Sequence, residues 1–288
     1  MKWVVLFSIV TLLTTDVFSQ PQKAAEQANT NPFVLGVIDE LYSNQLDEKR
    51  VLNIYLPEGY YNKDSTRYPV IYLLDGGADE DFIHVAGLVQ FNSFSWVNRV
   101  PKSIVVGIAN TDRKRDFTYA TTIEADKKRY PTAGNSQNYI SFIEAELQPY
   151  IERTYKTSHS KTIIGESLGG LLATEILFKK PALFDQYIII SPSLWWDNGS
   201  LLNQIPSRLK NNLTRETSIY IGVGKEGLTP GDIPRVMEVD ANVLAEKLRA
   251  IKSSKLQVYF DYLPQEDHAT IGHQALYNAF RLLNAQTK

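Results

Sequence analysis

The chain has 288 residues, 43% of them hydrophobic, and a formal net charge of −2, which is enough for one large core or two small ones. The balanced charge argues against a nucleic acid as the main partner, because proteins that bind polyanions usually carry a basic excess or patch. The absence of Cys excludes a disulfide framework, a thiol nucleophile and a Cys-based zinc site.

The amino terminus has the pattern of a secretory signal peptide. A short apolar run at 3–13 follows a lysine, and Val17 and Ser19 provide the branched and small residues that precede a signal cut. The run is shorter than the roughly 20 residues that span a bilayer. We predict a signal peptide at 1–19, a flexible segment at 20–33 and a periplasmic or secreted protein without a membrane span after cleavage. An uncleaved anchor is the alternative.

Beyond this segment, apolar bursts alternate with helical patterns. Nearly continuous runs of Val, Ile, Leu and Tyr indicate buried strands at 51–56, 68–74, 103–109, 161–164, 186–190, 218–223 and 256–262. Helical patterns occupy 137–151, 168–178, 234–251 and 271–283. This alternation is typical of a doubly wound α/β fold. We predict one domain, 34–288, with helices on both faces of a mostly parallel sheet and an antiparallel edge near 34–56.

The stretch GESLGG carries the clearest chemical signal. Gly165 to Gly169 match G-x-S-x-G at the end of an apolar run and directly before a helical pattern. In that context the motif is a nucleophile elbow, in which small neighbours allow a strained turn to present Ser167. A chance match in a glycine-bearing turn is the alternative. We predict Ser167 as the nucleophile of an α/β-hydrolase fold.

A serine hydroxyl needs a base, and the sequence contains four His. In α/β-hydrolases the triad follows the chain order Ser, acid, His. His268 lies between the last predicted strand and the last predicted helix, where this fold presents its base. His273 is the alternative base. His159 is expected to lie at the surface, and His84 is expected to have no role at the site, with a position at the border of the pocket as the alternative.

The triad acid is expected to follow the second strand after the nucleophile, which here is the strand at 218–223. Glu226 lies three residues beyond the end of that strand and is the predicted acid that orients His268. Asp232 and Asp197 remain alternatives. The oxyanion donors are expected to be the N–H of Leu168, which follows the nucleophile, and the N–H of Gly77 in the loop after the strand at 68–74.

Several stretches together resemble one family. YPVIYLLDGG, SIVVGIANTDRKRDFTY, KTIIGESLGGLLATEILFKKPALFDQYIIISPSLWW and EDH are similar to the esterase family of α/β-hydrolases. That family includes esterase D, feruloyl esterase domains, mycolyltransferases and trilactone hydrolases that act on siderophores. The R-x-R-D-F-T and S-x-S-L-W-W stretches are most similar to the siderophore-esterase branch.

The resemblance implies Ser167 as nucleophile and His268 as base, and it implies that some members work without the acid. It also implies that Arg115, with Asp116 beside it, borders the substrate pocket; an Arg–Asp pair that holds a loop is the alternative. Trp195 and Trp196 are expected to line the cleft and stack on an aryl group. Packing of one of the two in the core is equally compatible with the sequence.

The predicted activity is exported hydrolysis of a carboxylic ester, with a small-molecule siderophore or other aryl or catecholate ester as substrate and with no metal or organic cofactor. A feruloyl or acetyl esterase on polysaccharide is the alternative enzyme, and acyl transfer to a sugar is a further one. A non-catalytic binding module of the same fold is the alternative outside enzymes. The sequence does not indicate an oligomeric state.

Overall fold

A computed structural model describes residues 31–204, 209, 213 and 215–284, and within them eight strands form one sheet. In chain order the strands are β1 Gly36–Ser43, β2 Glu48–Tyr55, β3 Tyr68–Leu73, β4 Ile104–Ile108, β5 Thr157–Glu166, β6 Gln186–Ile190, β7 Thr217–Gly224 and β8 Leu256–Leu263. Across the sheet their order is β1-β2-β4-β3-β5-β6-β7-β8. The pairs from β4 to β8 are parallel, and β1 and β2 form an antiparallel edge. This confirms the predicted mostly parallel sheet with an antiparallel edge.

The described helices are α1 Phe82–Ser93, α2 Arg113–Phe117, α3 Glu124–Arg129, α4 Ser136–Phe142, α5 Gln148–Thr154, α6 Leu168–Lys179, α7 Trp196–Gly199, α8 Met237–Arg249 and α9 Ile271–Leu283. A π-helical turn, Ile143–Leu147, joins α4 to α5, so the predicted helix at 137–151 is one continuous helical stretch. The predicted helices at 168–178, 234–251 and 271–283 correspond to α6, α8 and α9. The patterns identified in the sequence did not include α1, α2, α3 or α7.

Both faces of the sheet are covered by helices. In β3, Val70 and Tyr72 pack into one apolar cluster, whereas Ile71 and Leu73 pack into the other, as expected for side chains that alternate along a strand. Helices α4, α6 and α8 contribute to the first cluster, and α1 and α9 contribute to the second. This double coverage explains why the strands have nearly continuous apolar sequences.

Residues from Leu35 onward form one compact unit. The predicted signal peptide at 1–19 lies outside the described residues, as does most of the predicted segment at 20–33. Because β5, β6, β7 and β8 are parallel, the loops that follow them meet at one edge of the sheet. In open α/β sheets this edge is where ligands bind.

Candidate active site

Ser167 lies in a strained turn between β5 and α6. Its backbone angles are φ 57° and ψ −116°, in a region that L-residues avoid. Close packing requires the neighbouring glycines: a Cβ at Gly165 would lie 2.3 Å from the Gly169 carbonyl oxygen, and one at Gly170 would lie 2.9 Å from the Ile190 carbonyl oxygen. Gly165 of the G-x-S-x-G pattern and Gly170 just after it therefore allow close contact between a strand, a turn and a helix, with Ser167 at the turn.

Three of the predicted residues form a continuous hydrogen-bonded chain. Ser167 Oγ lies 3.1 Å from His268 Nε2, and His268 Nδ1 lies 2.5 Å from Glu226 Oε2. Ser167 follows β5, Glu226 follows β7, and His268 lies between β8 and α9. The parallel strands thus bring together side chains that are far apart in sequence.

Glu226 is held as a buried carboxylate. Its side chain is 3% exposed. Burial by itself would raise the pKa of Glu226, but hydrogen bonds from His268, from the Ser191 hydroxyl and from the Gly224 N–H outweigh it, so that the pKa is lowered. Glu226 therefore stays ionised beside the imidazole.

The pKa of His268 is raised, chiefly because of its hydrogen bond to Glu226, although burial acts in the opposite direction. An ionised carboxylate at Nδ1 also fixes the tautomer, because Nδ1 must carry the proton that it donates to Glu226. The lone pair of Nε2 is then directed at the Ser167 hydroxyl. This arrangement is suited to removing a proton from Ser167.

The other acids considered from the sequence have different partners. Asp232 pairs with Arg129 at 3.5 Å and is 58% exposed. Asp197 accepts hydrogen bonds from the Thr121 hydroxyl and from the Thr122 N–H and hydroxyl. Neither is among the groups bonded to His268 in the described residues.

His273, the alternative base, is paired with another histidine. Its Nδ1 lies 2.9 Å from Nε2 of His84, which joins α9 to α1. The pair leaves His268 as the imidazole in contact with Ser167 in the part of the chain that the structure describes.

A pocket of about 240 Å³ opens beside this chain of side chains. It is lined by Ser167, Ser193, Trp195, Glu226, Leu228, Thr229, Pro230, Met237 and His268. Apart from the three predicted catalytic residues the wall is mainly apolar, and Leu228 at its rim is 73% exposed. Ser167 is therefore accessible to a ligand with an apolar or aryl group.

The two adjacent tryptophans have different environments. Trp195 lines the pocket, as predicted. Trp196 does not: its side chain is 1% exposed, and its Nε1–H donates to the Tyr119 carbonyl oxygen at 2.8 Å. The prediction that Trp196 lines the cleft is therefore wrong, because its ring packs in the core with the indole N–H satisfied by backbone.

Arg115 is also absent from the pocket lining. Its guanidinium forms ion pairs with Glu48 at 2.6 Å and Asp116 at 2.8 Å, and Asp116 in turn pairs with the fully buried Arg50. This network attaches α2 to β2. The R-x-R-D stretch is thus a structural pair that holds a loop, which corrects the prediction that Arg115 borders the substrate pocket.

The arginine beside Ser167 is Arg113, which is not among the predicted site residues. Its Nε and Nη2 donate to the two carboxylate oxygens of Asp75 at 2.6 and 2.8 Å, and Nη2 lies 3.3 Å from the Glu166 carbonyl oxygen. Residues two apart on a helix point in different directions. Arg113 therefore faces the turn at Ser167, while Arg115 faces β2.

The two predicted oxyanion donors differ in availability. Leu168 is the first residue of α6, so its N–H has no partner within the helix. The Gly77 N–H already donates to Glu80 Oε2 at 2.8 Å, and the other oxygen of Glu80 accepts from Asn110 at 2.7 Å. Gly77 is therefore not a free donor in this structure, because a nearby carboxylate of the same loop occupies its N–H.

Ser193 is a further hydroxyl that sequence reasoning missed at this site. Its Oγ lies 3.3 Å from Ser167 Oγ, and its N–H donates to the Ser167 carbonyl oxygen at 2.9 Å. The S-x-S-L-W-W stretch of the sequence contains this serine two residues before Trp195. Over the ranges that the structure covers, no group of three or more His, Asp or Glu side chains is arranged to hold a metal ion. None of the helices that it describes combines the length and apolar character needed to cross a membrane.

Comparisons with known proteins identify the family. The family model described as "Putative esterase" matches residues 43–275. The ferri-bacillibactin esterase BesA of Bacillus subtilis is 27% identical over 259 residues, which cover 84% of this chain and 88% of BesA. The crystal structure of an IroE-like serine hydrolase from Shewanella oneidensis has a TM-score of 0.77 and 32% identity, with 86% of this chain and 80% of that chain covered.

The crystal structure of the BES protein from Bacillus cereus resembles this chain about as well as the Shewanella structure does. Its TM-score is 0.76 at 29% identity, and the match covers 91% of this chain and 99% of that chain. Family match, sequence identity and fold all point the same way. The chain therefore belongs to this esterase family of α/β-hydrolases, and it is a serine hydrolase that acts on carboxylic esters.

Proposed function

We propose that Ser167, His268 and Glu226 act as nucleophile, general base and orienting acid in ester hydrolysis through an acyl-enzyme. The observation that carries this proposal is the chain of contacts from Ser167 Oγ to His268 Nε2 at 3.1 Å and from His268 Nδ1 to Glu226 Oε2 at 2.5 Å. A weak alcohol nucleophile, a base and an ionised orienting group are the components of this chemistry. The pocket beside Ser167 supplies access.

The reaction proceeds in two stages. Ser167 Oγ forms a bond to the ester carbonyl carbon while its proton passes to His268 Nε2, and the carbonyl electron pair moves to oxygen. Collapse of this intermediate expels the alcohol, which takes the proton from His268. A water molecule then repeats the sequence on the acyl-enzyme: His268 takes its proton, and Ser167 leaves with that proton as the acid is released.

The negative oxygen of each intermediate lies near the amino end of α6. The Leu168 N–H is unpaired within the helix and is the first donor, and the aligned peptide dipoles of α6 add a favourable potential. Gly77 becomes the second donor when the Glu80 carboxylate releases its N–H. The oxyanion thus competes with the Glu80 carboxylate for the Gly77 N–H.

The substrate class is a siderophore ester with an aryl or catecholate acyl group. The activity named for BesA supports this choice, and so does the position of Trp195 in a mainly apolar wall. A pocket of about 240 Å³ is smaller than the roughly 300–1,000 Å³ of sites that enclose a whole drug-sized ligand. One acyl arm would occupy the pocket while the rest of a larger ester stays outside it.

The site of action is the periplasm or the exterior of the cell. The support is the signal-peptide pattern at 1–19, which the sequence alone provides. Expression of the full chain with detection of the amino terminus of the mature protein tests this part. A mature protein that begins near Gln20 and is recovered outside the cytoplasm is expected, and retention of residues 1–19 in a cytoplasmic protein contradicts it.

A hydrolysis panel tests the activity and the substrate class. It compares p-nitrophenyl acetate, p-nitrophenyl butyrate, methyl ferulate and enterobactin with and without iron, using wild type and Ser167→Ala. Hydrolysis of the catecholate triester with the highest kcat/KM, lost in Ser167→Ala, supports the proposal. A clear preference for methyl ferulate assigns the chain to feruloyl esters instead, and equal rates for the two proteins reject the role of Ser167.

A further inference from the structure

The segment Ser191-Pro192-Ser193 directly follows β6 and lies between the two ends of the proposed catalytic chain. Both serines are buried, Ser191 at 0% and Ser193 at 2% exposure. Buried hydroxyls are costly unless they are hydrogen-bonded, so their partners indicate what they do. One serine bonds to the acid and the other to the nucleophile.

Ser191 contacts the acid. Its Oγ donates to Glu226 Oε1, and the Gly224 N–H donates to the same oxygen at 3.2 Å. The other oxygen of Glu226 faces His268. One oxygen of the carboxylate therefore accepts from two fixed donors, and the other accepts from the imidazole. Together these contacts fix the rotation of the carboxylate group.

The backbone at Ser191 is arranged to make this contact. Its φ is 42°, in the left-handed region that a non-glycine residue adopts only when other contacts hold it there. The Ser191 N–H donates to the Gly222 carbonyl oxygen at 2.8 Å, which ties this bend to β7. The bend brings the hydroxyl to the end of β7, where Glu226 lies.

Ser193 contacts the nucleophile. Its N–H donates to the Ser167 carbonyl oxygen at 2.9 Å, and its Oγ lies 3.3 Å from Ser167 Oγ. Since the Ser167 hydroxyl proton is directed at His268, the Ser193 hydroxyl is the donor in this pair. Pro192 between the two serines has a restricted φ and packs against α6, where a Cβ at Gly170 would lie 3.0 Å from its Cα.

We infer that Ser191-Pro192-Ser193 is a positioning element of the catalytic site: Ser191 orients Glu226, and Ser193 orients Ser167. Pro192 keeps the two hydroxyls in a fixed relation, so the acid and the nucleophile are aligned by one short loop. The inference rests on the proposed roles of Ser167, His268 and Glu226. It adds two residues that touch the triad without reacting.

The two serines have different effects on the imidazole. The Ser191 hydroxyl withdraws negative charge from the carboxylate, so its removal makes Glu226 a stronger acceptor from His268 and raises the pKa of His268. The acid limb of kcat/KM, which reports loss of the neutral imidazole, then moves to higher pH. Among the described residues, Ser193 is hydrogen-bonded to Ser167 and not to Glu226 or His268, so its removal leaves that limb in place.

The test compares Ser191→Ala, Ser193→Ala and the control Ser136→Ala with p-nitrophenyl acetate over a range of pH. Ser136 is a buried serine whose hydroxyl has no hydrogen-bond partner among the described residues, and it lies in α4 outside the site. We expect Ser191→Ala to lower kcat/KM at pH 7 about tenfold, the loss of one hydrogen bond to a charged group, and to move the acid limb to higher pH. Ser193→Ala lowers kcat about tenfold with the limb unchanged, and Ser136→Ala changes neither.

An unchanged acid limb in Ser191→Ala, or an unchanged kcat in Ser193→Ala, overturns the corresponding half of the inference. If Ser191→Ala does not fold, as judged by circular dichroism and thermal unfolding, Ser191→Gly replaces it, because glycine accepts the positive φ without a side chain. The simple ester keeps the result independent of the siderophore assignment. Fluorophosphonate labelling of wild type but not of Ser167→Ala establishes separately that Ser167 is the nucleophile.

Discussion

Replacing Glu226 by Gln is predicted to impair the enzyme more than replacing it by Ala. In the structure, Glu226 Oε1 receives two donors, Ser191 and the Gly224 N–H, so an amide at this position places its oxygen there. The amide NH₂ group then faces His268 Nδ1, which must accept. The imidazole proton moves to Nε2, and His268 can no longer take the proton of Ser167.

The magnitudes follow from these contacts. Glu226→Ala removes a charge-assisted hydrogen bond worth about 1.5–3 kcal/mol, which corresponds to roughly 10- to 150-fold in kcat/KM. The carboxylate is 3% exposed, so solvent screens it little. Glu226→Gln in addition imposes the wrong tautomer, and the loss is expected to be on the order of 10³- to 10⁴-fold.

The pH profile supplies a second readout. Glu226 raises the pKa of His268 above its ordinary value of 6.5, so loss of the carboxylate lowers that pKa. In Glu226→Ala the acid limb of kcat/KM therefore moves to lower pH, opposite to the shift expected for Ser191→Ala. The control is Asp232→Asn, which removes the alternative acid and should stay within about twofold of wild type.

The assay is steady-state hydrolysis of p-nitrophenyl acetate between pH 5 and 9, with thermal unfolding as the check on folding. Activity of Glu226→Gln within a few-fold of wild type, or greater than that of Glu226→Ala, refutes the tautomer argument. An acid limb that does not move in Glu226→Ala shows that the carboxylate has no influence on His268.

Three further predictions concern residues around the site. Glu80→Ala frees the Gly77 N–H, so a boronic acid that mimics the oxyanion should bind about tenfold more tightly. The affinity is measured by inhibition of ester hydrolysis. An unchanged affinity shows that the Gly77 N–H is not an oxyanion donor. Trp196→Ala should lower the free energy of unfolding by about 3–5 kcal/mol, measured by thermal or denaturant unfolding. Trp195→Ala should leave the Tm near wild type and raise KM for aryl esters. Equal decreases in Tm for the two variants contradict the different positions of the two tryptophans, one in the core and one in the pocket. Asp116→Ala leaves the fully buried Arg50 with one partner fewer and should lower the free energy of unfolding by about 3–5 kcal/mol in the same assay. A decrease below about 1 kcal/mol would mean that the buried pair is not needed for stability.

The chain of contacts from Ser167 through His268 to Glu226 could be predicted because it depends on topology. Ser167, Glu226 and His268 each follow a parallel strand, and a parallel sheet brings such positions to one edge. The apolar runs and the glycines of the turn are visible in sequence. Ser167, Glu226 and His268 therefore meet because of the order of strands and helices along the chain. The periodicity of apolar residues in the sequence can reveal that order.

The errors depend on side-chain direction, which sequence spacing does not specify. Arg113 and Arg115 are two residues apart on a short helix, and its rotation decides which one faces the turn at Ser167. Trp195 and Trp196 are adjacent, and packing directs one into the pocket and the other into the core. The occupation of the Gly77 N–H depends on the rotamer of Glu80, which no pattern reports.

Helix α1 was missed for a related reason. Its sequence, FIHVAGLVQFNS, is apolar almost all round, so it lacks the one-sided pattern that marks an amphipathic helix. Helix α6 has the same character, but the G-x-S-x-G motif directly before it indicated a helix there. It buries Val85 and Val89 against the same cluster as α9, which contributes Leu276. Such a helix is recognised from its packing against the sheet, which becomes known only with the fold.

Active-site labelling tests the central claim most directly. Wild type, Ser167→Ala, His268→Ala and Asp232→Ala are treated with a fluorophosphonate, and the modified peptide is identified by mass spectrometry. The predicted result is a single adduct on Ser167 in wild type and Asp232→Ala, slowed by orders of magnitude in His268→Ala and absent in Ser167→Ala. An adduct on another residue, or labelling of Ser167 at the wild-type rate without His268, contradicts the assignment of this serine and histidine as the reacting pair.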